Sequence, residues 1–273
     1  MKNPEIQKKE TEALVNNSEL LELLKGENGE TGFEDFDSKS FALPFLLILQ
    51  PLSPVVMSGI EGIRPGMIMD SVSGEVFEKI KVVPCAFKRS VLLWRRREEG
   101  GGFRGELNPV DVDLRRIDLE EDEDGKTTYK GLQVADTRNH YVLYQTKEGG
   151  WSPAIISMGS TQIKKSKKWN SLISMQKIMT KDGQVQLPVW GAVYELGIEK
   201  EKNEKGAWFG WTVKKLQNVD DPALIMEAKE FRKGVVQNAV KVDFEALDSQ
   251  IPDDSGAASS AAVSAAKGED IPF

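Results

Sequence analysis

The sequence predicts a mainly β protein: a five-stranded Greek-key barrel of the OB type with one inter-strand helix, a C-terminal helix and a disordered acidic tail. Three observations predict it. Runs rich in β-branched and aromatic residues, bounded by glycine and proline, recur through the middle of the 273-residue chain. One stretch lying among them repeats apolar residues at helical spacing instead. The end of the chain turns to Ser, Ala, Gly and Asp, a composition too poor in large apolar side chains to build a core.

Residues 1–40 form an acidic, flexible extension in which Leu14, Leu20, Leu21, Leu23 and Leu24 make a short apolar stripe ahead of the polar stretch Gly26 to Gly32. That pattern predicts a short helix and a linker. Residues 41–240 form the barrel domain with insertions. Turn residues punctuate its start, and Ser73-Gly74 predicts a tight hairpin. Strand-like runs follow at Ile80 to Trp94, Gly131 to Val134, Tyr141 to Gln145, Ala154 to Ser157, Val189 to Ile198 and Trp208 to Leu216. Between the fourth and fifth runs, in Ser160 to Thr180, Leu172, Met175 and Met179 recur at spacings of three and four, which predicts one helix. Strands, a helix, then a closing hairpin is the order of an OB barrel, whose helix lies between the third and fourth strands. Asp220-Asp221-Pro222 marks a helix start, and Leu224, Ala228, Phe231 and Val235 give the closing helix its apolar stripe. Residues 241–273 are the tail.

Composition excludes several classes of function. One cysteine, Cys85, and one histidine, His140, rule out an intramolecular disulfide and the usual four-ligand His/Cys zinc site. No cofactor or metal is expected. The N-terminus has no apolar signal core, and the longest apolar run, Phe41 to Leu49, contains Pro44 and falls far short of the roughly 20 residues of a membrane span. A soluble, cytoplasmic protein with no membrane partner is expected, in the host cytoplasm if a bacteriophage encodes it.

A net charge of −7 argues at first against nucleic acid, but its distribution reverses the argument. Residues 1–40 carry five lysines against ten acids, and residues 241–273 carry two lysines against seven, so the body between them is +3. Outside the acidic cluster Asp118 to Asp124 that body is +9. A basic body lies between acidic ends.

Single-stranded DNA is held by cations that track the phosphates and by aromatic faces on which bases stack. From Lys79 to Arg97 there are seven basic residues and no acid, with Phe87 and Trp94 interleaved. This run nominates Lys88, Arg89, Trp94, Arg95, Arg96 and Arg97. A solvated strand face beside core aromatics is the bland alternative. Arg104, just past the glycine run Gly100 to Gly102, joins the set as part of a flexible cover for the DNA backbone. Lys164, Lys165, Lys167 and Lys168 crowd like charges onto one helix, a repulsion that phosphate would relieve, although a lysine-rich solvated face reads equally plainly. Their neighbour Trp169 is either a platform or a core anchor. In the last two strand runs, strict alternation gives one aromatic face, so Trp190, Tyr194 and Trp208 are stacking candidates, with Lys202 and Lys205 in the loop between. Some of these rings must fill the barrel, and the sequence leaves open which ones do.

No catalytic constellation is present, so no enzyme is expected. The cluster Asp111, Asp113 and Asp118 to Asp124 ends in Asp124-Gly125-Lys126 and reads as an exposed turn before it reads as a nuclease metal site. His140 has no paired nucleophile.

The last five residues, Glu269-Asp270-Ile271-Pro272-Phe273, follow a low-complexity linker. They present Phe273 and the terminal carboxylate as an anchor, with two acids beside it. This ending resembles the Asp-Asp-Ile-Pro-Phe tip of bacterial single-stranded DNA-binding proteins, with Glu269 in place of the first aspartate. The body departs from that family by its N-terminal extension and acidic insertion, and is more similar to the divergent single-stranded DNA-binding proteins of bacteriophages. The resemblance implies a protein that protects single-stranded DNA in replication, recombination or repair. It also implies recruitment of polymerase-associated, helicase or nuclease partners through Glu269 to Phe273; whether the chain forms a homo-oligomer is left open by the sequence. The competing reading is a recombination mediator or replisome adaptor that binds DNA weakly.

Overall fold

The computed structural model describes Gly32 and residues 41–181, 183–204, 206–240 and 242–248. The helix and linker expected before residue 32 and the acidic tail lie outside the described residues. All that follows belongs to the unit beginning at Ala42.

The elements run β1 (Leu46–Ile48), α1 (Pro54–Met57), β2 (Ile68–Asp70), β3 (Val76–Phe77), β4 (Ile80–Trp94), β5 (Phe103–Leu107), α2 (Pro109–Asp113), β6 (Glu120–Glu121) and β7 (Thr127–Tyr129). They continue with β8 (Leu132–Gln145), β9 (Trp151–Gly159), α3 (Ile163–Ser174), β10 (Lys177–Thr180), β11 (Gly183–Gln186), β12 (Ala192–Asn203), β13 (Gly206–Asn218), α4 (Pro222–Val236) and α5 (Glu245–Asp248). The protein is mainly β, and every strand ladder is antiparallel.

The main sheet has the order β13-β12-β4-β8-β7-β6, with β5 added to β4 and β9 to β8. It holds eight strands rather than five, and no ladder joins β9 to β13, so the hydrogen-bonded path is open. The gap is bridged by smaller means. Phe45 makes a parallel bridge to Ile155 on β9. The Gln50 amide donates to the Phe209 carbonyl and accepts from the Phe209 N–H, each at 2.9 Å, imitating a strand along β13.

The two long strands β4 and β8 organise the interior. Even-numbered residues of β8 and β9, among them Val142, Tyr144, Ala154, Ile156 and Met158, join Val82, Tyr194, Leu196, Trp211 and Trp169 in the largest cluster. On the opposite face Tyr141 and Ile155 pack with Phe45, Val235 and Phe244, while Leu143 packs with Val83, Leu224 and Ala228. Both faces of the sheet are therefore buried, the second by α4 and the chain that follows it. Beside Pro84, which has no N–H to give to a ladder, the register slips between Pro84 and Ala86, and the strand bends there.

Expected and observed elements differ in three places. The helix expected within Ser160 to Thr180 ends at Ser174, and its buried stripe is Ser166, Trp169 and Ile173. Met175 caps it and Met179 lies on β10, both largely exposed. Burying one tryptophan outweighs a methionine stripe, and Gly183, at φ +113°, begins the return strand of a separate hairpin. The runs at Gly131 to Val134 and Tyr141 to Gln145 are one strand, β8. Val189–Gly191 is a 3-10 turn, so β12 starts only at Ala192. The hairpin at Ser73-Gly74 is present, with Gly74 at φ +72° and the Asp70 carboxylate accepting from the N–H groups of Val72 and Ser73. The closing helix begins at Pro222, with Asp221 accepting from Ala223 N–H at 2.8 Å.

Candidate nucleic-acid interface

Of the cations nominated on β4 and beyond it, most are engaged within the fold, and Arg89 and Arg96 are paired with carboxylates. Lys88 donates from Nζ to the Val235 carbonyl and to Asn238 Oδ1, both at 2.8 Å, and so caps the C-terminal end of α4. The Arg89 guanidinium forks onto Asp136 and reaches Asp113 at 2.5 Å, while Arg138 holds the other side of Asp136. Those hydrogen bonds, those to Asp136 foremost, raise the Arg89 pKa further and leave little net charge for a phosphate. Arg96 pairs with Asp122 at 2.6 Å, inside the acidic hairpin β6–β7. Arg97 is half-buried and engaged. Arg104 folds back onto the carbonyls of Gly101 and Phe103. Arg95 is exposed.

The aromatic nominees divide in the same way. Trp94 is buried edge-on against Phe103, with ring centroids 5.7 Å apart. Tyr194 is fully buried, and burial pushes its hydroxyl up to about 12. These two calls are corrected: neither ring offers a face to a base. Tyr194 shares the inward face of β12 with Ala192 and Leu196, as alternation requires, and the 3-10 turn Val189–Gly191 takes Trp190 out of that alternation. Trp190 is half-buried against the Val83–Leu143 cluster, with the Arg232 guanidinium 5.6 Å from its ring. Trp208 is half-buried opposite Glu201. Trp169 is the core anchor, stacked on His140 at 4.4 Å.

Besides Arg95, the nominated cations that stay open belong to α3 and the β12–β13 hairpin. Lys164, Lys167 and Lys168 are exposed. Their neighbour Lys165 is not: it pairs with Glu199 and with Glu201, the latter at 3.0 Å. Burial lowers its pKa, and the two carboxylates more than reverse this, so the net shift is upward. The same pairing ties the start of α3 to the end of β12, where Lys200 and Lys202 are exposed. Lys205 lies outside the described residues, as does the tip Glu269 to Phe273.

A groove of about 470 Å3 lies between β4, the second half of α3 and the segment leading from β11 to β12. Its lining includes Pro84, Phe87, Asn170, Ser174, Leu187 and Pro188, and reaches His140. Phe87 is 41% exposed. The sequence placed this ring between basic neighbours but gave no reason to prefer it to Trp94. The deciding fact, that even residues of β8 face the interior while Phe87 overhangs its rim opposite His140, is a property of register.

Residues 10–241 match the family described as Pam3 phage gp34-like protein. The chain belongs to that family. It is thus a phage protein, in agreement with the expected bacteriophage origin, and the family's description names no activity or ligand. No curated protein and no solved structure matches it. In this gp34-like chain no helix among the described residues is long and apolar enough to cross a membrane.

Proposed function

We propose that this phage protein binds single-stranded DNA without catalysis, through an OB-type barrel, and recruits replication proteins through its C-terminal tip. The strand pairing supports the barrel. β4 lies between β8 and β12, β9 pairs with β8, β13 pairs with β12, and α3 falls between β9 and β12 in the chain. These are the neighbours and the helix position of an OB fold, a barrel that is commonly left partly open. That connectivity is the observation that carries the reading. The exposed lysines of α3 and of the β12–β13 hairpin supply the phosphate contacts, because loop four-five is one of the elements with which OB proteins grip nucleic acid.

One observation favours the competing adaptor reading. OB proteins also use the face of strands two and three, and here the outward residues Tyr141, Leu143 and Ile155 lie beneath α4 and Phe45. On the main reading the DNA path is displaced toward α3.

Titration of the full chain with a fluorescent dT oligonucleotide and with matching duplex, at several salt concentrations, separates the two. The main reading expects preference for the single strand and a log-log salt slope of about −0.7 per phosphate neutralised. Replacing Lys164, Lys167 and Lys168 together by glutamate should remove most of that slope. Deleting Glu269 to Phe273 should leave DNA affinity intact while abolishing partner capture. No preference for single strands would leave the adaptor.

A further inference from the structure

We propose that the groove beside Phe87 is a base-stacking subsite for single-stranded DNA, a deeper claim that rests on the DNA-binding reading above. The argument begins with the ring. Phe87 follows the bend at Pro84–Ala86, leans on His140 with centroids 5.1 Å apart, and keeps 41% of its surface exposed over an open groove of about 470 Å3. His140 is itself held from behind by Trp169, stacked at 4.4 Å, and by Ser166 Oγ, 2.7 Å from Nε2. An exposed aromatic ring backed by a rigid stack is a preorganised platform, since little side-chain freedom remains to be lost when a flat ligand lands on it.

The walls fit a nucleobase better than an aliphatic ligand. Pro84, Leu187 and Pro188 are apolar, while Asn170, Ser174 and Gln186 place amide and hydroxyl groups along the same lining, suited to the polar edge of a base. The rim is cationic. Lys167 precedes Asn170 by three residues and Ser174 by seven, and so shares their face of α3. Lys177 sits opposite Gln186 in the β10–β11 register, on the same side of that hairpin. Both lysines are exposed. An aromatic floor, hydrogen-bonding walls and two lysines at the edge match one stacked nucleotide with its flanking phosphates, and this charge pattern is what commits the groove to DNA.

The test uses the full chain with Phe87→Leu, which keeps apolar bulk against His140 and removes the π face, and with Phe87→Trp, which puts a fluorophore there. Binding is measured to dT oligonucleotides and to abasic strands of the same length. The wild type should prefer dT to the abasic strand, and Phe87→Leu should lose about 5- to 100-fold in dT affinity, the range of one stacked base. Its abasic affinity should not change. In Phe87→Trp, dT should quench the fluorescence added by the new ring.

The proposal is overturned if wild type binds dT and Phe87→Leu binds it equally well. If the wild type fails to bind any single strand, the DNA-binding reading itself is lost, a distinguishable result. Quenching of Phe87→Trp by an added peptide of residues 264–273, with none by dT, would make the groove a seat for the chain's own tip and also overturn it.

Discussion

Lowering the pH from 7.5 to 5 should weaken the fold by an amount set by one residue. His140 is the only histidine; it lies 1% exposed between Trp169 and Phe87, and burial lowers its pKa from 6.5 to about 3. Above pH 6.5 neither the folded nor the unfolded chain binds the proton. Below it the unfolded chain binds one and the folded chain does not until about pH 3, so stability is complete above 6.5 and falls as pH drops through the window between. At about 1.4 kcal/mol per pH unit, the loss at pH 5 is about 2 kcal/mol. That moves a urea midpoint by about 1 M for an m-value near 2 kcal/mol per M. Glu227, whose carboxyl is pushed up by burial, works in the opposite sense, so the comparison must isolate His140. Urea unfolding followed by tryptophan fluorescence at pH 7.5, 6 and 5 should show the drop in wild type and a flattened profile in His140→Gln. The ring signals of the single histidine should stay unshifted by NMR over that range. A ring titrating near 6.5 in the folded protein, or equal pH profiles for the two proteins, would refute the reasoning.

Two further perturbations separate structural roles from binding roles. Trp169→Ala removes a fully buried ring that touches both His140 and Tyr194, and should cost about 3–5 kcal/mol in urea unfolding. Arg89→Met breaks the fork onto Asp136 and Asp113. Its groups are partly exposed, so the loss should be about 1–2 kcal/mol, while affinity for dT should change less than about twofold because the charge is already neutralised in the fold.

What the sequence made legible was local. β-Branched and aromatic composition located β4 to the residue, and Asp221-Pro222 announced α4 through the cap they form. The run Tyr141-Val142-Leu143-Tyr144 held a further signal: four successive large apolar residues in a strand require cover on both faces. Which element supplies that cover is a matter of tertiary packing. The same holds for the charges. Arg89 and Lys167 look alike in a sequence, yet Arg89 meets two aspartates from distant elements and Lys167 meets none among the described residues. Aromatic choice failed for a third reason: alternation places Tyr194 on one face with Ala192 and Leu196 without saying that this face is the interior, and the 3-10 turn Val189–Gly191 removes Trp190 from the strand.

On the proposed reading, the cover over β8 and β9 bears directly on where DNA can lie. A lid would join the sheet through few buried contacts. α4 is joined differently: Ala228 and Val235 are fully buried, Lys88 ties down the Val235 carbonyl, and Arg232 donates to the Cys85 carbonyl while lying over Trp190. Removing it would expose two apolar clusters at once and strand those hydrogen-bonding groups. A strand worth about 1–3 kcal/mol per stacked base would have to repay all of that before gaining affinity. Any single strand this protein takes up therefore binds with α4 in place. On the proposed reading that leaves the α3 side, where cations stay open and Phe87 supplies an exposed ring. Affinity there should depend strongly on salt and only weakly on which bases pass.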